Sequence, residues 1–269
     1  LSKKKVFILG TKGMIGHMLY RYLSSLDKYF LGGISHEELD ITREPYKVLD
    51  IIKQLNPDIL INAIGILPKE CEENIPKAVF VNGFFPNLLE ITFEKSNTKI
   101  IQLSTDCVFD GVKGNYIETD TPSEKNWYGR TKALGEILNS KDLTIRTSTI
   151  GPELKENGVG LFNWALNQKG KIKGYSKVNW TGVTTLELAK QLDKILSTKL
   201  VGIYHLVPNI SITKKELLGN ITDIWNLNLE IEEDISVCKS KNLINTRQKE
   251  YAPNIPDYRS QLEELKKYI

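Results

Sequence analysis

The sequence predicts a doubly wound parallel α/β sheet with a smaller α/β lobe. Three observations predict it. Short apolar runs alternate with helical patterns through residues 1–150. Most of those runs are continuous, as in strands covered on both faces, and not alternating as in half-exposed ones. The first run leads straight into a glycine turn and a helix, the opening of a strand–crossover–strand unit.

Taken in order, residues 5–9 read as the first strand and 14–25 as the helix after it. Further strands are predicted at 29–32, 59–62, 99–104 and 143–147. The helices between them are predicted at 45–55, 77–95 and 127–139. Beyond residue 150 the pattern changes. Residues 151–174 mix loop with a short apolar helix at 161–166. Thr184 and Glu187 have capping-box spacing and open an amphipathic helix over 184–196. A strand follows at 202–207. Thr213-Lys-Lys-Glu216 caps a helix running to Trp225, and Ser260-Gln-Leu-Glu263 is expected to cap a last one. Residues 239–256 read as a long loop, a kind of segment that often binds. The expected division is a dinucleotide-binding domain over 1–150 plus about 183–202. A substrate lobe is expected over about 151–182 plus 203–269.

Bulk properties exclude several classes. The 269 residues carry 36 Lys and Arg against 33 Asp and Glu, a net charge of +3. That near balance, with no basic stripe interleaved with aromatics, does not suggest a nucleic-acid partner. Cys71, Cys107 and Cys238 are odd in number and match neither zinc nor disulfide spacing, so a reducing cytoplasm is expected. His17, His36 and His205 are scattered, and no metal site is expected. The longest apolar stretch, 59–67, is far shorter than the roughly 20 residues of a membrane span. Neither a membrane segment nor a signal peptide is expected.

Two motifs carry chemistry. Gly10-Thr-Lys-Gly13-Met-Ile-Gly16 lies between the first strand and its helix. Glycines there let the backbone turn sharply, approach a pyrophosphate and pack the helix close to the sheet. The spacing is G-x-x-G-x-x-G, and an ordinary strand-to-helix turn is the plain alternative. Tyr128 and Lys132 stand four residues apart, on one face of a predicted helix. A free phenol, with a pKa of about 10, is a poor acid or base near neutrality. A neighbouring ammonium is expected to pull that value down. A hydroxyl from Ser104 or Thr105 can then hold a carbonyl oxygen against the phenol. The set reads as a proton-delivery device for reducing a carbonyl, or for the reverse oxidation. Y-x-x-x-K alone arises often by chance. Its weight here comes from placement, since every motif residue lies at a strand's carboxyl end or at the start of the next helix.

These residues resemble the extended short-chain dehydrogenases/reductases, and within them the dTDP-4-dehydrorhamnose reductases and related nucleotide-sugar reductases. The resemblance is carried by Gly10, Gly13 and Gly16, by Asn62-Ala63-Ile64-Gly65 and by Val81-Asn82. It continues in Leu103-Ser104-Thr105-Asp106-Cys107-Val-Phe-Asp-Gly111, Tyr128-Gly-Arg-Thr-Lys132-Ala-Leu-Gly-Glu136 and Ile145-Arg146-Thr147-Ser148. The motifs run in family order over residues 5–150 and loosen beyond.

The resemblance implies a Rossmann-like domain and three catalytic residues. Tyr128 would protonate the developing alkoxide. Lys132 would tune Tyr128 and bond the nicotinamide ribose. Thr105 would hold the carbonyl oxygen. Gly10, Lys12, Gly13, Met14, Ile15, Gly16, Ala63, Gly65 and Asn82 would join Tyr128 and Lys132 in holding the cofactor, with Asp40 and Ile41 near the adenine. No acid follows the second strand before Glu37, and Lys12 stands in the turn. Both features favour NADPH, with NADH as the alternative. Ser104, Thr105, Asp106, Trp180 and Arg247 are the expected substrate contacts, with Lys177 and Lys241 as weaker choices for the diphosphate.

Each has a plainer reading. Asp40 could start a helix, Asn82 could be a satisfied buried amide, Asp106 could orient backbone, Trp180 could be core, and the cations could be solvated. Three departures concern the sugar. Cys107 replaces a common tyrosine, Thr149 a common tryptophan, and Trp180-Thr-Gly-Val183 the familiar Pro-Thr. The expected function is NADPH-dependent reduction of the 4-keto group of a nucleotide-linked deoxysugar for polysaccharide precursors. A nucleotide-sugar epimerase or dehydratase, or a non-catalytic NADP-binding regulatory subunit, is the alternative. The expected partner is a nucleotide sugar, with neither nucleic acid nor membrane, and a homodimer is left open.

Overall fold

The computed structural model describes residues 3–155 and 158–269. In chain order the first elements are β1 (Lys4–Leu9), α1 (Met14–Ser25), β2 (Tyr29–Ile34), α2 (Pro45–Leu55) and β3 (Ile59–Asn62). Then come α3 (Pro68–Glu73), α4 (Ile75–Ala78), a π-helical segment Val79–Phe84, α5 (Phe85–Phe93), β4 (Lys99–Ser104), α6 (Trp127–Leu134) and β5 (Leu143–Arg146). The remainder supplies β6 (Thr149–Ile150), α7 (Leu161–Leu166), β7 (Gly170–Tyr175), β8 (Asn179–Trp180), β9 (Val183–Thr184) and α8 (Thr185–Ile195). It ends with β10 (Gly202–His205), β11 (Ile212–Thr213), α9 (Lys214–Trp225), β12 (Leu229–Asp234) and α10 (Tyr258–Tyr268).

The central sheet has the order β10-β5-β4-β3-β1-β2, and each neighbouring pair is parallel. Both faces are covered, which is why the strands read as continuous apolar runs. Val6 and Ile8 pack with Leu19, Leu23, Leu188 and Leu192 beneath α1 and α8. Phe7 and Leu9 point the other way, into Val48, Ile52, Phe85 and Leu89 of α2 and α5. Strand order reverses at the β1/β3 boundary, so a crevice opens there at the carboxyl ends. A separate apolar cluster joins Ile150, Phe162, Ile172, Trp180, Leu217, Leu218 and Ile221. It is framed by two-stranded pairings, β7 with β12, β8 with β11 and β6 with β9.

Four elements differ from expectation. The helix predicted over 77–95 widens into a π turn, with the Phe85 N–H reaching back to Phe80 O. Pro86 has no N–H for the Asn82 carbonyl four residues earlier, and a wider turn accommodates that gap. Helix α6 stops at Leu134, not at 139, because Gly135 packs on the Asn82 carbonyl, where a Cβ would stand 2.0 Å from the oxygen. The last helix is capped by Asp257, whose side chain accepts from Ser260 N, so Ser260 is already inside it. The strand Gly202–His205, grouped by sequence largely with the second lobe, joins the central sheet beside β5. Within the loop expected near 151–174, residues 156 and 157 lie outside the described residues. Among the described residues no helix is long and apolar enough to cross a membrane.

Candidate active site

The glycine turn comes off β1 at the crevice. Gly10 has φ +87°, a left-handed conformation that favours glycine, and it lies against the Ala63 backbone beyond β3. A Cβ on Gly16 would stand 2.0 Å from Gly10 O, so α1 begins pressed against the turn. The N-cap Gly13 offers no side-chain cap, and the first turn of α1 holds no acid. Uncapped N–H groups at the positive end of a helix dipole, beside backbone stripped of side chains, fit the pyrophosphate of a dinucleotide.

The hydroxyl, phenol and ammonium arrive from β4 and α6. Thr105 follows β4 and caps the short turn Asp106–Val108, accepting from Cys107 N at 3.1 Å and donating to Asp106 Oδ1 at 3.0 Å. Helix α6, capped by Asn126, packs directly on that turn, since a Cβ on Gly129 would meet Cys107 O at 2.3 Å. Tyr128 is thereby held half-buried over Thr105. Burial pushes its phenol above the ordinary value and the Asp106 charge adds to this, while the Thr105 hydroxyl draws it partly back. Lys132 is buried and donates to Leu103 O at 2.7 Å. Burial lowers its ammonium to about 8, with the Glu136 charge resisting. The expectation that Lys132 pulls the phenol down is therefore corrected. The lysine faces a carbonyl of β4, burial dominates at Tyr128, and the phenol stays protonated at neutral pH.

Asn82, in the π turn, is buried. Its amide donates to Ile66 O at 3.3 Å and Thr131 Oγ1 at 3.3 Å, and its oxygen accepts from Ile66 N at 3.0 Å. It ties the segment after β3 to α6, and Gly65 lies between it and Lys132. Behind them, Arg146 forms a bidentate pair with Glu136, both bonds at 2.7 Å, and both side chains are almost fully buried. Glu136 also accepts from Ser104 Oγ at 2.7 Å. Arg146 stacks on Phe109 and reaches the Glu118 carbonyl.

The family profile described as RmlD substrate binding domain matches residues 4–252. The chain belongs to that family. The dTDP-4-dehydrorhamnose reductase of Aggregatibacter actinomycetemcomitans is 33% identical over 161 residues, 58% of this chain and 54% of that protein. The chain thus spans about half the length of that relative. The probable low-salt glycan biosynthesis reductase Agl14 of Haloferax volcanii is 31% identical over 238 residues, 81% of this chain and 79% of that protein. In fold, the chain superposes with a TM-score of 0.87 on the dTDP-4-dehydrorhamnose reductase of Bacillus anthracis solved with NADP, at 20% identity and 100% coverage of both chains.

Within this RmlD-type framework several predicted site residues lie elsewhere. Ser104 turns inward to Glu136 and is not available to a ligand, which corrects its place among the substrate contacts. Arg247 is also corrected. Its guanidinium is committed to Glu250 and to the carbonyls of Val201 and Ile203 along the outer edge of β10. Those carbonyls flank the amino end of β10, away from the strand ends that hold Thr105. Trp180 is buried in the C-terminal cluster with its indole N–H on Ser148 Oγ, so its ring is core on one side. Asp40 accepts from the Thr42 amide and hydroxyl, and Ile41 is buried under the sheet. Lys12 is exposed and ion-paired with Glu37 across the rim of the crevice.

Sequence reasoning missed two residues. Glu136 anchors the ionic core beside Lys132. It lies two residues beyond the end of α6, so no helical spacing marks it in the sequence. Lys214 lies at the start of α9; burial lowers its pKa, and the Asp106 carboxylate opposes that shift. Nothing local in the sequence marked it.

Proposed function

We propose that this chain uses NADPH to reduce the 4-keto group of a nucleotide-linked deoxysugar of the dTDP-4-dehydrorhamnose kind, in polysaccharide precursor synthesis. One observation carries the reading. Thr105 and Tyr128 meet beside a buried Lys132, at strand ends that adjoin an uncapped glycine turn. The reductases named among its relatives support it, as does the NADP bound to the Bacillus anthracis protein.

The bound cofactor would supply the hydride. The turn Gly10–Gly16, with the N–H groups of Met14 and Ile15, would hold its pyrophosphate, and Lys12 its 2′-phosphate. Asp40 and Ile41 would flank the adenine, and Ala63 and Gly65 would line the passage toward the reacting end. Lys132 would bond the nicotinamide ribose, kept in place by Asn82. Tyr128 gives its proton to the oxygen that gains charge, and a phenol kept protonated by burial suits that role. Thr105 would turn its single proton from Asp106 Oδ1 to the same oxygen. Such a donor is worth roughly 3–4 kcal/mol when water is excluded. Asp106 would accept from a sugar hydroxyl. A cytoplasmic setting belongs to this proposal, supported by the free Cys71, Cys107 and Cys238.

The test is NADPH oxidation with dTDP-4-dehydrorhamnose and other nucleotide-linked 4-keto sugars. Turnover by the native chain is expected, with loss in Tyr128→Phe. Absence of turnover across the panel would overturn the reading. Release of tightly held NAD from the purified, denatured chain would instead favour an epimerase or dehydratase.

A further inference from the structure

The wall opposite the strand ends holds a cation that the reaction above does not use. Lys214 is the first residue of α9, directly after the Thr213 capping box. A helix N-terminus is the unfavourable end for a positive charge. The backbone fixes it there, because Ile212 pairs with Trp180 across β11 and β8, and Lys214 N–H donates to Val178 O at 3.0 Å. Its ammonium stands 4.8 Å from the centroid of the Trp180 ring. Trp180 is in turn fixed by its 2.8 Å bond to Ser148 Oγ, two residues beyond the end of β5. Ring and lysine therefore sit on the carboxyl side of the central sheet, where Thr105 also lies. Burial lowers the pKa of the Lys214 ammonium, and the Asp106 carboxylate, in the turn that Thr105 caps, opposes that shift.

Three other cations near this side have partners in the protein. Lys241 pairs with Glu124 at 2.5 Å and Lys12 with Glu37. Arg130 lies over the Trp127 ring at the start of α6. Among the described residues, no side-chain hydrogen bond holds the Lys214 ammonium. A ring face is a weaker partner than a phosphate oxygen, and an ammonium on a four-carbon stem can exchange one for the other.

We infer that Lys214 is a substrate-binding residue that leaves the Trp180 ring to bind the phosphate nearest the sugar of the nucleotide-linked substrate. This rests on the nucleotide-sugar reading given above. A keto carbon held at Thr105 and Tyr128 places the diphosphate about one sugar ring away, within reach of a lysine beside Asp106. Trp180 then acts as a seat that keeps the ammonium at the site and out of bulk water.

The experiment is calorimetric titration of thymidine diphosphate, uridine diphosphate and thymidine into the NADPH-loaded chain, for the native protein, Lys214→Met, Lys214→Gln and Lys214→Arg. Loss of one charge-assisted phosphate contact is expected to weaken the favoured diphosphate by about tenfold or more in Lys214→Met and Lys214→Gln. Thymidine binding and NADPH affinity are expected to be unchanged, and Lys214→Arg to retain most of the affinity. In turnover the two neutral variants raise KM by a similar factor and leave kcat nearly unchanged. Equal diphosphate affinity in folded neutral variants overturns the assignment, as does a fall in kcat at constant KM, which would make Lys214 a structural partner of Asp106. A native chain that binds neither diphosphate and reduces no nucleotide-linked sugar overturns the nucleotide-sugar reading itself, a separate result.

Discussion

The strand-end wall of the site and the wall facing it are held together differently. On the strand-end wall Thr105, Ser104, Lys132 and Glu136 each have a fixed partner within the protein. Lys132 is on Leu103 O, Thr105 on Asp106 and Cys107 N, Ser104 on Glu136, and Glu136 on Arg146. On the facing wall Lys214 rests against a ring and Lys241 on a single carboxylate. The first arrangement fixes atoms before a ligand arrives, as proton transfer and oxyanion stabilisation require. The second can rearrange around different anions. The reaction therefore belongs to the rigid wall, and the hold on the substrate's phosphates to the adjustable one.

Removing the proton donor tests the rigid wall most severely. Tyr128→Phe is expected to lower kcat by about a thousandfold or more, since it removes both a general acid and a donor to the developing charge. NADPH affinity, measured by fluorescence titration, is expected to stay within about twofold, because the phenol acts on the sugar oxygen. A variant that keeps a tenth of the native rate would remove Tyr128 from the reaction.

The ionic core behind that wall is tested by stability. Arg146→Met leaves the Glu136 carboxylate buried with only Ser104 as a hydrogen-bond partner. Breaking a buried pair in this way costs about 3–5 kcal/mol. Urea unfolding of both proteins measures it, and a loss below about 1 kcal/mol would show that Glu136 finds water or protonates at little cost. Arg247→Ala is the contrasting case. Its bonds to the β10 edge and Glu250 are partly exposed, so about 1–3 kcal/mol of stability is at stake. Its substrate KM is expected to remain native, and a rise of tenfold would return Arg247 to the substrate site.

The rate's dependence on pH separates the two members of the Tyr128–Lys132 pair. The lysine is charged below its value of about 8 and neutral above it. The phenol, raised by burial, stays protonated throughout that range. The logarithm of kcat/KM is therefore expected to be level below about pH 8 and to fall above it, with the alkaline limb belonging to Lys132. Glu136 supports the ammonium, so Glu136→Gln is expected to move the limb to lower pH. A limb near pH 10 that Glu136→Gln leaves in place would assign it to the phenol.

What the sequence made legible follows the same division between the walls. Strands β1, β3 and β4 were readable because a doubly covered sheet needs unbroken apolar runs. The Gly10 turn and the Tyr128/Lys132 pair were readable because each lies within one turn or one helix, where spacing fixes geometry. Lys214 was not readable. The β8–β11 pairing brings it to the side of the sheet where Asp106 lies, over a separation that no local pattern encodes. Arg247 was misplaced for the same reason, since a lone arginine in a loop carries no sign of which carbonyls it will find. Ser104 and Thr105 are neighbours with opposite fates, because successive strand residues point to opposite faces.

The rim of the crevice offers the smallest and sharpest comparison, because Lys12 and Glu37 oppose each other there. The carboxylate neutralises the ammonium that would attract a 2′-phosphate, and it can also accept from a ribose 2′-hydroxyl. Both groups are solvent-exposed, so their pairing is weak and a phosphate can displace the carboxylate. Lys12→Ala is expected to raise KM for NADPH by about three- to tenfold and to leave KM for NADH nearly native. Glu37→Gln is expected to act the other way, lowering KM for NADPH and raising that for NADH by a similar, smaller factor. Raising the salt concentration should shrink both effects, since exposed charges are screened over about 8–10 Å at ordinary ionic strength. Equal changes for the two cofactors in either variant would mean that the pair merely decorates the rim, and that preference is set deeper in the crevice.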